Sequence, residues 1–203
     1  MDQTEATWVQ QARAGDAAAF SSLAKAYQTP VYNLAYRMLG SVSEAEDAAQ
    51  ESFIRAYTRL STYDPRRKFS SWLLAIVSHY CIDVLRKRRI QTLPLDELPP
   101  RIELSMPPAT QPEQVVVRRQ AASEVQTLLN VLAPNYRMPV ILRYWYDMSY
   151  REIATLMGLN EGTVKTRLYR ARNQLASHAR HSLPDATLRQ ARGTRRALTE
   201  NAA

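Results

Sequence analysis

The sequence predicts an all-α protein built from two small helical domains joined by an extended linker. Apolar residues recur at helical spacing on both sides of a central break, and period-2 alternation is missing throughout. Six of the eleven prolines lie between Pro94 and Pro112. Because proline fixes φ and lacks an amide donor, this stretch cannot be a helix or a central strand. We therefore expect domains at 1–92 and 115–183, with a proline-rich linker over 93–114.

Composition excludes several classes of protein. The chain has 203 residues and a net charge of +8, and its hydrophobic fraction of 45% is that of a globular protein. No apolar run approaches the ~18 residues of a membrane span, and the N-terminus carries no signal pattern, so we expect a cytoplasmic protein. A single cysteine, Cys81, excludes an internal disulfide framework and is expected to be a buried small residue. The basic excess favours a nucleic-acid partner.

The first domain predicts four helices, at about 16–27, 31–39, 44–60 and 70–89. Gly40 ends the second helix, and Ser43 is the expected N-cap of the third. The third helix has one apolar stripe, whereas its other side is acidic and polar: Glu46, Asp47, Gln50 and Glu51. Such a face is either solvated or a docking surface.

The second domain predicts helices at about 115–132, 136–146, 149–157 and 161–178. Ser149 and Glu152 have the spacing of a capping box, Gly158 permits a left-handed turn, and Asn160 can cap the last helix. The buried seam of that helix is spaced by four, three and four residues: Val164, Leu168, Ala171 and Leu175. Two helices joined by a tight glycine turn predict a helix-turn-helix.

Cations and hydrogen-bonding groups occupy the outward side of the last helix: Lys165, Thr166, Arg167, Tyr169, Arg170, Arg172 and Asn173. A helix fits the major groove, where Arg or Lys pairs with guanine and Thr reaches base edges. A helical hairpin with a merely solvated basic face is the alternative. Since cations outnumber carboxylates six to two over 150–180, DNA binding is favoured.

A second basic cluster lies at the end of the first domain, where residues 66–89 hold seven cations and one acidic residue, Asp83. Aromatic rings and a histidine are interleaved with it: Tyr63, Phe69, Trp72, His79 and Tyr80. An unpaired base stacks on a ring while cations hold its phosphates, so the cluster predicts binding of single-stranded nucleic acid. That Phe69 and Trp72 are core residues instead is an equally open alternative.

Three strings, in this order, resemble the extracytoplasmic-function (ECF, group IV) sigma factors of bacterial RNA polymerase, within the sigma-70 family. They are Asp47-Ala-Ala-Gln-Glu-Ser-Phe-Ile-Arg-Ala-Tyr57, Phe69-Ser-Ser-Trp-Leu-Leu-Ala-Ile76, and Ser149-Tyr-Arg-Glu-Ile-Ala continued by Gly162-Thr-Val-Lys-Thr-Arg-Leu-Tyr-Arg-Ala-Arg172. The resemblance covers about 15–92 and 115–178. It implies a transcription initiation factor with a region 2-like first domain and a region 4-like second domain.

The resemblance also implies partners and site residues. Core polymerase would be bound through the clamp helices of its largest subunit and through its flap, and the clamp helices would meet Asp47, Gln50, Glu51 and Ile54. The −10 promoter element would be melted and read by Tyr63, Phe69, Trp72, His79, Asp83, Arg86 and Lys87. The −35 element would be read by Lys165, Thr166, Arg167, Tyr169 and Arg170. An anti-sigma factor, acidic or strongly amphipathic, would hold the protein inactive.

This chain departs from the family pattern at three places. His79 stands where the family often has an asparagine-like polar group. The linker is unusually rich in proline, and a basic tail over 184–203 extends beyond the family core. We expect the tail to be disordered and assign it no role.

Three other functions are alternatives for this sequence. The first is a conventional operator-binding regulator, which would need a ligand cavity or a dimerising helix; the second is a recombinase or nuclease, which would need an active-site cluster that the sequence does not show. The third is a polymerase-binding protein that no longer melts promoters. His178 and His181 are one helical turn apart but have no third ligand nearby, so neither a metal site, nor a cofactor, nor an enzymatic activity is predicted.

Overall fold

The computed structural model describes residues 3–91 and 123–182, and within these ranges the chain is helical, with no strand. The predicted all-α class is therefore confirmed. The linker over 93–114 and the tail over 184–203 lie outside the described residues. The helices are α1 (Gln3–Arg13), α2 (Ala17–Leu39), α3 (Val42–Thr58), a 3₁₀ turn (Leu60–Thr62), α4 (Phe69–Gln91), α5 (123–131), α6 (Pro134–Trp145), α7 (Tyr150–Met157) and α8 (Glu161–Ser182).

Helix α1 was not predicted, because its sequence is mostly polar and offers few periodic apolar residues. Two of them, Val9 and Ala12, are nevertheless buried against the first domain. The Tyr27 hydroxyl on α2 also donates a hydrogen bond of 2.6 Å to the Glu5 carboxylate. Tertiary contacts rather than local propensity thus hold α1 in place.

Helix α2 is one helix where the sequence predicted two. Pro30 lies in its interior, although proline there removes a hydrogen bond and costs roughly 3 kcal/mol. The apolar stripe continues past it, since Leu23 before the proline and Val31 and Leu34 after it are all buried. Burial along this stripe outweighs the proline. The predicted stop at Gly40 is confirmed, with φ of 77° at that residue.

Helix α3 is capped by Ser41, so the prediction of Ser43 as its N-cap is wrong. The Ser41 hydroxyl accepts a hydrogen bond of 3.5 Å from the Glu44 amide, three residues on. Ser43 is already inside the helix, which begins at Val42. Two serines of equal capping propensity lie two residues apart, so propensity alone does not decide between them.

The helix-turn-helix forms as predicted. Ser149 and Glu152 make a complete capping box on α7, and Gly158 ends that helix with φ of 64°. The Asn160 side-chain oxygen then accepts a hydrogen bond of 2.7 Å from the Thr163 amide and caps α8. Along α8 the predicted seam packs inward: Val164, Leu168 and Ala171 are buried, and Leu175 is half-buried.

The two halves of the chain touch each other. Helix α7 packs against α4, and α6 packs against both α2 and α4. None of the described helices combines the length and hydropathy that crossing a membrane requires.

Candidate nucleic-acid interface

Helix α8 presents a polar face to solvent. Lys165, Thr166, Tyr169 and Arg170 are exposed, and Arg167 is half-buried beside them. The helix seam on the opposite side holds this face outward, because Val164 and Leu168 pack into the domain core. The arrangement is that of a recognition helix, with the predicted −35 residues on one exposed side.

A recess of about 420 Å³ lies beside this face, where the start of α6 meets the start of α8. Its wall is polar: Asn135, Tyr136, Asn160, Gly162, Thr163, Thr166, Arg167 and Arg170. The Thr166 hydroxyl donates a hydrogen bond of 2.9 Å to the Gly162 carbonyl. Its methyl group and both oxygen lone pairs are left for a ligand: the methyl suits contact with a thymine methyl, and the oxygen can accept from a base amino group.

Helix α4 carries the second predicted surface. His79, Arg86 and Lys87 are exposed, whereas Trp72 and Asp83 are half-buried. Asp83 forms an ion pair of 2.9 Å with Arg86 one turn away. This pair orients the guanidinium along the helix. Trp72, at one end of the same surface, lines a cleft with Arg151, Thr155 and Leu156 of α7.

Tyr63 and Phe69 require a correction. Their exposed fractions are only 2% and 1%, so neither ring can stack on a base without unpacking the domain core. They belong to a cluster of rings behind Trp72: Tyr63 lies 5.3 Å and Phe69 5.6 Å from it, centroid to centroid. The core alternative therefore describes these two rings, and direct base contact is withdrawn for them.

The buried tyrosine also shapes the loop before α4. The Tyr63 hydroxyl donates a hydrogen bond of 2.5 Å to the Arg67 carbonyl. Burial raises the pKa of this phenol above its usual range, so it stays a neutral donor. The loop that carries Arg66, Arg67 and Lys68 is thereby tied to the core beneath it.

The acidic-polar face of α3 is largely open. Asp47 and Gln50 are exposed, and the apolar side chain of Ile54 is 52% exposed beside them. Glu51 is half-buried and forms an ion pair of 2.7 Å with Arg55. The other ion pair at this helix joins Glu44 to Arg88 on α4.

Two further surfaces were missed by sequence reasoning. A groove of about 740 Å³ runs between α2 and α3, and its aromatic walls are Tyr32 and Phe53. On α5 an apolar stripe is more than a third exposed: Val125, Leu128 and Val131. The three-residue spacing of this stripe is visible in the sequence. The buried Leu129 and Leu132 lie directly beside Leu128 and Val131, however, so the sequence does not separate the exposed apolar residues from the buried ones.

Both halves of the chain match known protein families. Residues 23–90 match the family model of Sigma-70 region 2, and residues 122–175 match that of Sigma-70, region 4. The chain is 36% identical over 177 residues to the ECF RNA polymerase sigma factor SigW of Bacillus subtilis (strain 168), an alignment covering 85% of this chain and 95% of that protein.

Solved structures share the fold. The structure of CnrH in complex with the cytosolic domain of CnrY has a TM-score of 0.66 and 23% identity, covering 89% of this chain and 100% of that one. The sigma factor RpoE of Bartonella quintana, in complex with the anti-sigma factor NepR, has a TM-score of 0.59 and 20% identity, covering 81% and 98%. The operator-binding alternative is not favoured. With a region 2 match, a region 4 match and a full-length relative, the chain belongs to the ECF sigma factors of the sigma-70 family.

Proposed function

We propose that this sigma factor binds core RNA polymerase through α3 and α5, melts the −10 element with α4, and reads the −35 element with α8. One observation carries the proposal: the two candidate DNA surfaces and the two candidate protein-docking surfaces lie on four different helices, and each has exposed side chains. The first domain is assigned to 1–92, the second to 115–183, and the tether to 93–114.

Polymerase docking is assigned to Asp47, Gln50, Glu51 and Ile54. An apolar side chain ringed by polar groups is typical of a protein interface, and Ile54 has this setting on α3. The adjoining α2–α3 groove, with its aromatic walls, extends the surface that the clamp helices would cover. The exposed stripe of α5 is the matching candidate for the flap.

Reading of the −10 element is assigned to Trp72, His79, Asp83, Arg86 and Lys87, with Tyr63 and Phe69 as buried support. Melting costs a mean of about 1.4 kcal/mol per base-pair step. A base stacked on an aromatic ring returns roughly 1–3 kcal/mol. The ring cluster behind Trp72 fixes that platform before the strand arrives, which lowers the ordering cost of binding.

Reading of the −35 element is assigned to Lys165, Thr166, Arg167, Tyr169 and Arg170. Neither domain buries enough surface alone, so specificity depends on polymerase holding both domains on one promoter. We further assign a cytoplasmic location, no enzymatic activity, and control by an acidic or amphipathic anti-sigma factor that covers the basic faces and the stripe of α5.

The test is run-off transcription with purified protein and bacterial core polymerase on genomic fragments. Asp47→Arg combined with Gln50→Ala is expected to abolish specific transcripts, because it reverses a charge and removes an amide on the docking face. Gln10→Arg is the matched control, since it adds a cation at an exposed position on α1.

Retained binding of the double variant to −35 duplex would show that its second domain is intact. Transcripts that persist undiminished in the double variant would refute docking through α3. Tight sequence-specific duplex binding by the protein alone, without transcripts from any variant, would refute the whole proposal.

A further inference from the structure

A cleft lies between α4 of the first domain and α7 of the second. Hydrogen bonds that hold the two halves together are made elsewhere, on α2. Gln126 on α5 donates to the Arg37 carbonyl at 3.2 Å, and the Tyr146 hydroxyl at the end of α6 donates to the Pro30 carbonyl at 2.5 Å. The contact is thus held by bonds on α2, whereas α4 and α7 enclose open space between them.

This cleft has the size and the position of a small-molecule site. Its volume is about 400 Å³. Ligand pockets in proteins have volumes of roughly 300–1,000 Å³ and occur preferentially where two domains meet. Both domains contribute residues with binding chemistry: Arg67, Lys68 and Trp72 from the first, and Arg151, Glu152 and Thr155 from the second.

Trp72 gives the cleft an aromatic wall. The ring is half-buried, and Tyr63 and Phe69 pack behind it at centroid distances of 5.3 and 5.6 Å. Leu156, which is 6% exposed, adds an apolar contact on the opposite side. A ring that is already fixed from behind can stack on a planar ligand at a low cost in conformational entropy.

Arg67 and Arg151 give the cleft two available guanidinium groups, one from each domain. Both side chains are exposed, and neither forms an ion pair with any residue in the described parts of the chain. A guanidinium binds phosphate oxygens through two parallel hydrogen bonds. With three cations and one carboxylate among its lining residues, the cleft favours a phosphorylated ligand.

Glu152 adds a hydrogen-bond acceptor. Its Oε2 accepts from the Ser149 amide at 2.9 Å and from the Ser149 hydroxyl at 2.8 Å. Its Oε1 lies 3.6 Å from the Lys68 ammonium, whereas a charge-assisted hydrogen bond is about 2.7–2.9 Å long. Oε1 therefore retains acceptor capacity, which suits an amino group such as that of guanine.

We propose that this cleft binds a free nucleotide. The base stacks on Trp72 and donates an amino group to Glu152, while the phosphates lie between Arg67 and Arg151. The site goes beyond the proposed function and needs both domains, since each supplies one guanidinium. A phosphorylated peptide has no planar ring system with an amino group to place between Trp72 and Glu152, so a nucleotide fits the lining better.

The test measures binding of GTP to the full chain, without polymerase or DNA, by isothermal titration calorimetry at fixed salt. Guanosine lacks the phosphates of GTP, and inorganic tripolyphosphate lacks its base. We expect GTP to bind in equimolar amount, and each of the other two to bind at least about tenfold more weakly. Tripolyphosphate that binds as tightly as GTP would overturn the proposal, because a basic protein would then merely be attracting a polyanion.

Arg67→Ala and Arg151→Ala remove one exposed guanidinium from each wall, so both variants should fold normally. Each should weaken GTP binding about tenfold. Trp72→Leu keeps an apolar side chain but removes the ring, and a loss of about tenfold is expected there too. Arg59→Ala is the matched control, since it removes an exposed cation outside the cleft. Unchanged affinity in both cleft arginine variants, or an equal loss in the control, would overturn the site.

A nucleotide within a single strand is the other source of the same chemistry, and Arg151 distinguishes the two. It lies on the second domain, whereas the predicted −10 residues lie on the first. Arg151→Ala should therefore weaken GTP binding but leave the affinity for an oligothymidine unchanged in fluorescence anisotropy. Equal weakening of both would make the cleft a part of the strand path and overturn a separate nucleotide site.

The recess beside α8 is the other place where a ring and two cations meet, with Tyr136, Arg167 and Arg170 in its wall. Arg170→Ala should leave GTP binding unchanged, and a loss of about tenfold in this variant would place the nucleotide beside α8 and overturn the proposal. The GTP measurements use neither promoter nor polymerase. Their outcome is therefore independent of the transcription test of the proposed function.

Discussion

Helices α8 and α4 are the two candidate DNA-reading helices, and they differ in how directly their residues reach solvent. On α8 the predicted residues form one outward face, with only Arg167 half-buried. In the α4 region two of seven, Tyr63 and Phe69, are buried. The difference lies in chemistry. When the aliphatic side of a helix is buried, its cations must lie on the solvent-exposed side. An aromatic ring, in contrast, is equally suited to the core and to stacking on a base.

The largest expected effect tests the buried side of this comparison. Phe69→Ala should lower the free energy of unfolding by about 3–5 kcal/mol, because it empties a fully packed site between Tyr27 and Trp72. Denaturant unfolding followed by circular dichroism measures it. Trp72→Ala should cost less stability, since that ring is half-buried. If Phe69→Ala were stable but lost −10 single-strand binding, the ring would be a base contact after all.

The next effect tests the exposed side. Arg170→Ala should weaken binding to −35 duplex by about 1–3 kcal/mol while changing the free energy of unfolding by no more than about 0.5 kcal/mol. Fluorescence anisotropy at fixed salt concentration gives the affinity. Arg180→Ala, at an exposed position near the end of α8, is the control for loss of charge alone. Equal losses in the two variants would argue against base reading by Arg170.

A smaller effect concerns Ser149, the N-cap of α7, the helix that precedes the recognition helix. Ser149→Ala removes the hydroxyl that accepts from the Glu152 amide at 3.2 Å. The second domain should lose about 1 kcal/mol of stability, as other N-cap serines do. Thermal unfolding measures it, and Ser177→Ala is the comparison on α8. An unchanged midpoint would mean that packing alone fixes the start of α7.

The smallest effect is a pH dependence at the same cap. Hydrogen bonds from the Ser149 amide and hydroxyl hold the pKa of Glu152 below its usual range. Its stabilisation is therefore present above the unfolded-state pKa near 4.3 and is lost as pH falls through the lower folded-state value. Glu152→Gln should abolish this loss, worth a few tenths of a kcal/mol since the side chain is 39% exposed. Parallel unfolding curves from pH 7 to 3 for both proteins would contradict this assignment.

Most of the fold could be predicted because caps and periodicity agree in the second domain. Ser149, Gly158 and Asn160 bracket the two helices, and the structure places each as expected. In the first domain local signals competed with packing. Pro30 reads as a break but lies within α2, and Ser43 has the same capping propensity as Ser41. Only three-dimensional burial decides such cases.

The candidate site residues could be predicted where the side-chain type is compatible with only one location, the solvent-exposed surface. Lys165 and Arg170 could be assigned from the sequence alone, and their exposure agrees with that assignment. The interdomain contact could not be predicted, because Gln126 and Tyr146 donate to backbone carbonyls of α2, which no residue type encodes. Such bonds appear only when the two halves are placed in space.

Cys81 has a consequence for how stress signals could reach transcription. It is the chain's single cysteine, it is fully buried in α4, and its thiol pKa is raised to about 12. The nucleophilic thiolate is therefore almost absent from the folded protein at neutral pH, and peroxides or disulfides have no ready cysteine to attack. A cysteine-based redox response of the genes under this protein's control must therefore be sensed by another molecule and passed to it through binding.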